Sequence, residues 1–230
     1  MEAEAASDES GKGDFFGGLH VTVTLVEVED YLKLKEANLL PRIGDSKLLS
    51  DACVYYLAPK LLEILGDKIV SISFGAKEYN KLYSKLQNLN ILLSYAHNQV
   101  WTKLREKLQE KGKVLPPKTI IDQFCTKDKY TGYLRSISVE CQDINIFKTK
   151  AESCFISCAI SSIISRFNFL EEMASLSIKL SYSLPLGASD RVVRAFHDIS
   201  EISNFKHEWY CKTHFKTYEK AIRTLNSPID

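Results

Sequence analysis

The sequence predicts an α/β fold, a mixed central β-sheet flanked by helices, with a helical C-terminal part. Two strand-like segments, residues 2–7 and 19–28, open the chain. Short apolar strands then alternate with segments of helical spacing, which gives a sheet covered by helices. From about residue 185 onward only helical segments follow. The 230 residues fit one large domain, 1–230, better than two small ones, and can bury a substantial core. Hydrophobic residues make up 45% and charged residues 26% of the chain, which argues against disorder.

Residues 2–7 are Ala-rich and read as the first strand. Residues 19–28 (LHVTVTLVEV) are β-branched with partial alternation, a second strand. Residues 46–65 read as a helix, with Pro59 as a break or kink. Residues 68–74 (KIVSISF) are another strand. Between 88 and 111, apolar residues fall at Leu89, Leu92, Leu93, Ala96, Val100 and Leu104, which is helical spacing. Residues 118–124 (KTIIDQF) form a short apolar strand after Pro116-Pro117. Strand pieces are expected at 136–139 and 144–147, around a turn. Residues 152–181 read as mostly helix, ended by Pro185-Leu186-Gly187, and helices near 190–203 and 205–225 close the chain.

No basic segment followed by an apolar one opens the chain, so no signal peptide is expected. The most apolar long run, 154–170, is interrupted by Ser157, Ser161, Ser162, Ser165 and Arg166 and reads as a buried helix, with no membrane contact. Cys53, Cys125, Cys141, Cys154, Cys158 and Cys211 form no C-x-x-C pair and read as free thiols of a cytoplasmic protein. His207, Cys211 and His214 have metal-like spacing without an evident fourth ligand; a basic amphipathic helix that happens to carry them is the plainer reading. A formal net charge of +1 means that nucleic-acid binding would have to rest on local basic patches.

The stretch SDESGKGDFFG, residues 7–17, concentrates chemistry. Asp8-Glu9 alone would pass for a solvated acidic pair. Here the pair ends an apolar segment, and two glycines follow within four residues around Lys12. Glycine permits positive φ and a bare backbone surface, so this loop can reach a ribose or phosphate while the carboxylates hold divalent cations. Hard cations such as Mg²⁺ need further oxygen ligands. Asp122 is one candidate, because a carboxylate inside an apolar strand is costly unless exposed or bound. Glu152, at the expected start of a buried helix, is another; helix capping is its alternative role.

In this order, the segments resemble the prokaryotic type 2 ribonucleases H, most closely the ribonuclease HIII branch. SDESGKGDFFG is similar to the family's first motif, and Gly44-Asp45-Ser46-Lys47-Leu48-Leu49-Ser50 to its D-S-K-x-L segment. His97-Asn98-Gln99, IIDQF at 120–124, Thr149-Lys150-Ala151-Glu152-Ser153 with Ser162-Ile163-Ile164-Ser165-Arg166, LPLGAS at 184–189 and THFK at 213–216 continue it. Six or more such matches in order are highly specific.

The resemblance implies a ribonuclease H-like fold and an endoribonuclease that cuts the RNA strand of RNA/DNA hybrids. It implies an active-site and metal-ligand set of Asp8, Glu9, Asp122 and Glu152. Gly11, Lys12 and Gly13 would contact the RNA strand; the likeness of THFK to the closing motif favours Lys216 as a phosphate contact, with Lys47 a second candidate, and Asn98 is either a substrate contact or structural. Two Mg²⁺ or Mn²⁺ ions roughly 4 Å apart would flank the scissile phosphate, leaving 3′-hydroxyl and 5′-phosphate ends, and the 2′-hydroxyl would tell RNA from DNA. Gly-Lys-Gly and a fourth acid that is Glu favour HIII over HII. Two departures from the family pattern are Gly18, where Pro is common, and Cys154, where a basic or larger residue is common. The family's extra N-terminal substrate-binding domain is not expected in this chain, and a monomer is.

Lys212, Lys216 and Lys220 would share a helical face near the C-terminus, either phosphate-binding or simply solvated. His97, on a mostly apolar helix, reads as structural and hydrogen-bonded. The rivals are an HII-like enzyme cutting at single embedded ribonucleotides and a hybrid-binding protein with little or no cleavage.

Overall fold

The computed structural model describes residues 2–43, 50–202 and 205–225. The chain forms two compact units. The first comprises Met1–Glu9, Val21–Ile72 and Asn88–Phe167, and the second Ser10–His20, Ser73–Gln87 and Asn168–Asp230.

A five-stranded mixed sheet is built from β1 (Glu4–Ser10), β2 (Leu19–Val26), β3 (Ile69–Phe74), β4 (Lys118–Asp122) and β5 (Ile146–Lys148), in the order β3-β2-β1-β4-β5. β1 lies in the middle. Ala5, Ala6 and Ser7 are wholly buried, and such small side chains suit a strand covered on both faces. Its buried Glu4 accepts from the Ser157 N–H and hydroxyl at 3.0 and 2.9 Å. β1 runs parallel to β4, and β4 parallel to β5.

The helices are α1 (Val28–Glu36), α2 (Leu40–Ile43), α3 (Asp51–Leu65), α4 (Ala76–Leu86), α5 (Leu89–Glu110), α6 (Lys127–Ser136), α7 (Ile156–Leu180), α8 (Asp190–Ser200) and α9 (Lys216–Leu225). α5 buries the face its spacing predicted, Leu92, Leu93, Ala96, Val100 and Leu104, and His97, Asn98 and Trp101 with it. The second unit's core gathers Phe15 and Phe16 with Phe169, Phe196 and Val192.

Several expected elements differ. β2 stops at Val26 because Glu27 and Asp30 close a capping box that starts α1, and Asp30 is tied to Lys68 at 2.6 Å. α3 runs through Pro59 without a break, and residues 46–49 of the expected helix lie outside the described residues. α4 and α6 arise where no helix was expected. Thr126 caps α6, its Oγ1 accepting from the Lys129 N–H, while Tyr130 and Leu134 are buried beneath. The strand piece at 136–139 is therefore the end of α6 and a turn with Ser138 at φ 55°. Glu152 belongs to a 3₁₀ turn, Ala151–Ser153, rather than to α7. The expected helix over 205–225 is a 3₁₀ turn at His207–Trp209, an isolated bridge from Cys211 to Phe16, and α9.

Candidate active site

In the first unit the sheet brings the expected acids to neighbouring strand ends. The parallel register pairs Ser7 with Ile121, so the next step sets Asp8 level with Asp122. β5 ends at Lys148, and two residues on Lys150, at φ 57°, turns the chain into the 3₁₀ turn that carries Glu152. The Ala151 N–H donates to Asp122 Oδ1 at 2.9 Å, fastening that turn to the end of β4.

The electrostatics show convergence. Burial, then the charges of Glu9 and Asp122, hold the Asp8 carboxyl well above the usual carboxylate range, against hydrogen bonds from Ser162 and the Glu9 N–H that favour its ionised form. Cys158 is wholly buried on α7. Burial pushes its thiol up, and Asp8, Asp122, Glu152 and Glu9 each push it further. Among the described residues no three His, Cys, Asp or Glu side chains close to metal-ligand spacing. The donor set nevertheless fits a hard divalent cation, being all carboxylate oxygen with mutual repulsion that a cation would relieve.

His97 of α5 reaches this group. Its Nε2 lies 3.0 Å from Glu9 Oε2 and its Nδ1 2.8 Å from Ser7 Oγ, which also accepts from Trp101 Nε1–H at 2.9 Å. Every group is satisfied when the Ser7 hydroxyl donates to Nδ1 and Nε2–H donates to Glu9. The expected structural histidine therefore orients a candidate ligand. Asn98, in contrast, is withdrawn from substrate. It is 1% exposed, donates to the Glu140 carbonyl, and accepts from Gln142 N–H and Tyr130 OH. The side chain is consumed in holding the 140–142 segment, which favours the structural of its two expected roles.

In the second unit the Gly-Lys-Gly loop is tightly braced. Gly11 takes φ 89°, and a Cβ there would stand 2.4 Å from the Gly18 carbonyl. Gly18 N–H donates to Glu172 Oε2 at 2.9 Å, which proline could not do, and a Cβ at Gly18 would meet the Phe74 carbonyl at 1.9 Å; its departure from the family's proline thus has a local cause. Lys12 and Gly13 are exposed. Behind them, Asp14 Oδ1 accepts from Gly187 N–H at 2.7 Å, and Phe15 N–H donates to the Gly187 carbonyl at 2.8 Å.

Lys212 corrects the expected basic face of Lys212, Lys216 and Lys220. It lies in no helix and is wholly buried. Its Nζ donates to the carbonyls of Asp14 and Gly17, each at 2.8 Å, beneath the loop. Burial pulls its ammonium down to about 8, although Asp14 and Glu172 oppose this. Lys220 pairs with Asp190 at 2.6 Å, leaving Lys216 exposed at the start of α9. His207, Cys211 and His214 form no metal group among the described residues. Cys211 Sγ–H donates to the His207 carbonyl, and His214 stacks on Tyr83 at 3.7 Å between centroids. Lys47 lies outside the described residues.

A family model described as Ribonuclease HII matches residues 5–218. Ribonuclease HIII of Bacillus mycoides (strain KBAB4) is 32% identical over 220 residues, covering 95% of this chain and 68% of that protein. The chain belongs to the type 2 ribonuclease H family, in its ribonuclease HIII branch. It is accordingly a ribonuclease. The fold agrees: a crystal structure of Bst-RNase HIII in complex with Mn²⁺ superposes with a TM-score of 0.86 at 29% identity, over 98% of this ribonuclease and 70% of that chain. The ribonuclease H2 from Pyrococcus horikoshii OT3 shares the fold, with a TM-score of 0.74 at 18% identity over 98% of this chain and 99% of that one. No described helix of the ribonuclease is long and apolar enough to cross a membrane.

The sequence had missed the reach of His97 to Glu9, the position of Cys158 among the acids and the burial of Lys212. Only the first left a trace, a histidine on the apolar face of a helix.

Proposed function

We propose that the chain cleaves the RNA strand of RNA/DNA hybrids internally, using two divalent cations, Mg²⁺ or Mn²⁺, and leaving 3′-hydroxyl and 5′-phosphate ends. The observation that supports this reading best is geometric: the β1–β4 register sets Asp8 level with Asp122, and the Ala151 N–H, 2.9 Å from Asp122 Oδ1, fastens the turn that carries Glu152. The relative solved with Mn²⁺ supports the choice of metal class.

Asp8, Glu9, Asp122 and Glu152 would hold the cations. When bound, the ions supply an activated water and charge stabilisation at the leaving 3′-oxygen. His97 keeps the Glu9 carboxylate in one orientation through Nε2–H. The Ala151 N–H does the same for Asp122. Gly11, Lys12 and Gly13 offer backbone and one ammonium to the RNA strand. The 2′-hydroxyl serves there as a recognition handle rather than as the nucleophile. Lys216, exposed at the first turn of α9, is a phosphate contact. The protein acts as a monomer.

Product analysis tests this. Cleavage of an all-RNA/DNA hybrid should give fragments that a phosphatase shifts at their 5′ ends and a polymerase extends from their 3′ ends. Products with 2′,3′-cyclic ends would overturn it. The Ribonuclease HII description of the matching family model favours one second reading, cleavage at a single ribonucleotide embedded in DNA. A faster rate on that duplex than on the hybrid would select it.

A further inference from the structure

The second unit carries a cleft that the cleavage reading does not use. Trp209 is 41% exposed, an unusual position for the largest aromatic side chain. Lys77 Nζ stands 4.7 Å from its ring centroid and Lys206 Nζ 4.8 Å. Beside it lies a concavity of about 560 Å³, lined by Lys77, Lys81, Glu172, Leu176 and Trp209. Lys77, Lys81 and Lys85 recur every fourth residue along α4, all exposed, so their Cα atoms rise by about 6 Å per step. That spacing is comparable to the phosphate repeat of an extended single strand. Among the described residues no ion pair engages Lys77, Lys81, Lys85 or Lys206.

Two carboxylates face the same cleft. Glu172 is already matched, accepting from Gly18 N–H and sitting 2.6 Å from His20 Nε2. Glu78 is exposed on α4 and leaves the lysines in excess.

We propose that this cleft binds an unpaired nucleic-acid strand, with one base stacked on Trp209 and its neighbouring phosphates on Lys77, Lys81 and Lys206. A solvated lysine face needs no exposed indole, and an acidic peptide offers no flat ring to stack. The exchange at the indole favours the base. Two exposed cation–π contacts are together worth about 4–25-fold in an equilibrium constant, whereas a base on an aromatic is worth about 5–150-fold. The displaced ammonium groups move onto phosphates, so they lose nothing. That the strand is the single-stranded flank of a hybrid rests on the cleavage reading above; the binding itself does not.

The test has two arms. In EDTA, fluorescence anisotropy follows a labelled DNA oligonucleotide of about a dozen nucleotides, within the site sizes of single-strand binders. Trp209→Ala should weaken binding at least about 5-fold, and Trp209→Phe, which still stacks, should restore most of it. Lys77→Gln with Lys81→Gln should flatten the salt dependence by about 1.4 in log–log slope, two phosphates' worth. In the second arm, a blunt hybrid should be cut equally by all variants, while an unpaired DNA tail should lower KM for the wild type and not for Trp209→Ala. Equal oligonucleotide binding by wild type and Trp209→Ala, or equal competition by polyglutamate, would overturn the proposal. A blunt hybrid left uncut by the wild type would sink the nuclease reading, and the anisotropy arm would still decide the cleft.

Discussion

Replacing Lys212 with methionine tests how the Gly-Lys-Gly loop is held. The lysine is wholly buried, and burial lowers its ammonium from 10.5 to about 8. That difference corresponds to about 3 kcal/mol of unfavourable burial below pH 8. Methionine keeps an unbranched stem, one atom shorter, and removes this term. It also strands the carbonyls of Asp14 and Gly17, which now accept at 2.8 Å. Each buried acceptor left unmade costs about 1–3 kcal/mol. The two contributions nearly offset at pH 7, so the melting temperature should fall by no more than about 10 °C. The pH dependence is sharper. Between about 8 and 10.5 the folded wild type binds fewer protons than the unfolded chain, because its Lys212 has already lost one. Stability contributed by this residue therefore rises with pH across that window. The gap between wild type and Lys212→Met, measured by thermal melts, should widen by about 2–3 kcal/mol from pH 7 to pH 10. KM for a hybrid should rise more than kcat falls, since the loop and not the acids is loosened. A gap independent of pH would refute the burial argument, and unchanged KM would refute the role of the loop.

Asp8→Asn should raise the melting temperature in EDTA, because Asp8 is held above its usual range by burial, Glu9 and Asp122, and should abolish cleavage when metal is supplied. A raised carboxyl makes the folded state bind more protons, so wild-type stability should fall as pH rises through the window above 3.8, and melts of the variant should lack that fall. His97→Ala should lower metal affinity or activity roughly 10–100-fold, read by calorimetric titration with Mn²⁺. Gly11→Ala should destabilise by about 2–5 kcal/mol from its clash and its positive φ, whereas Gly13→Ala, whose Cβ would meet nothing within 4 Å, should stay within about 0.5 kcal/mol and instead raise KM.

How much of this was legible depended on whether a residue's meaning is local. Asp122 stood out because an acid interrupts the apolar run IIDQF, and β1 and α5 followed from short-range pattern. Glu152 was legible through its motif, but not the 3₁₀ turn that holds it, which depends on the Ala151 N–H finding Asp122. α4 and α6 were missed because each buries only two side chains, Ala76 and Tyr79 in one, Tyr130 and Leu134 in the other. Lys212 was misplaced on a surface helix because its partners, Asp14 and Gly17, lie almost two hundred residues away. No neighbouring residue announces a buried ammonium.

Whether the four carboxylates serve one metal-dependent cleavage of RNA can be measured directly. The direct measurement is cutting of an end-labelled RNA/DNA hybrid in Mg²⁺, Mn²⁺ or EDTA by wild type, Asp122→Asn and Glu152→Gln. Asparagine at 122 keeps an oxygen for the Ala151 N–H, so the fold should survive. The wild type should make internal cuts in the RNA strand with either metal and none in EDTA, and neither variant should cut. Cutting by the wild type in EDTA, or by Asp122→Asn at the wild-type rate, would contradict that role of the carboxylates.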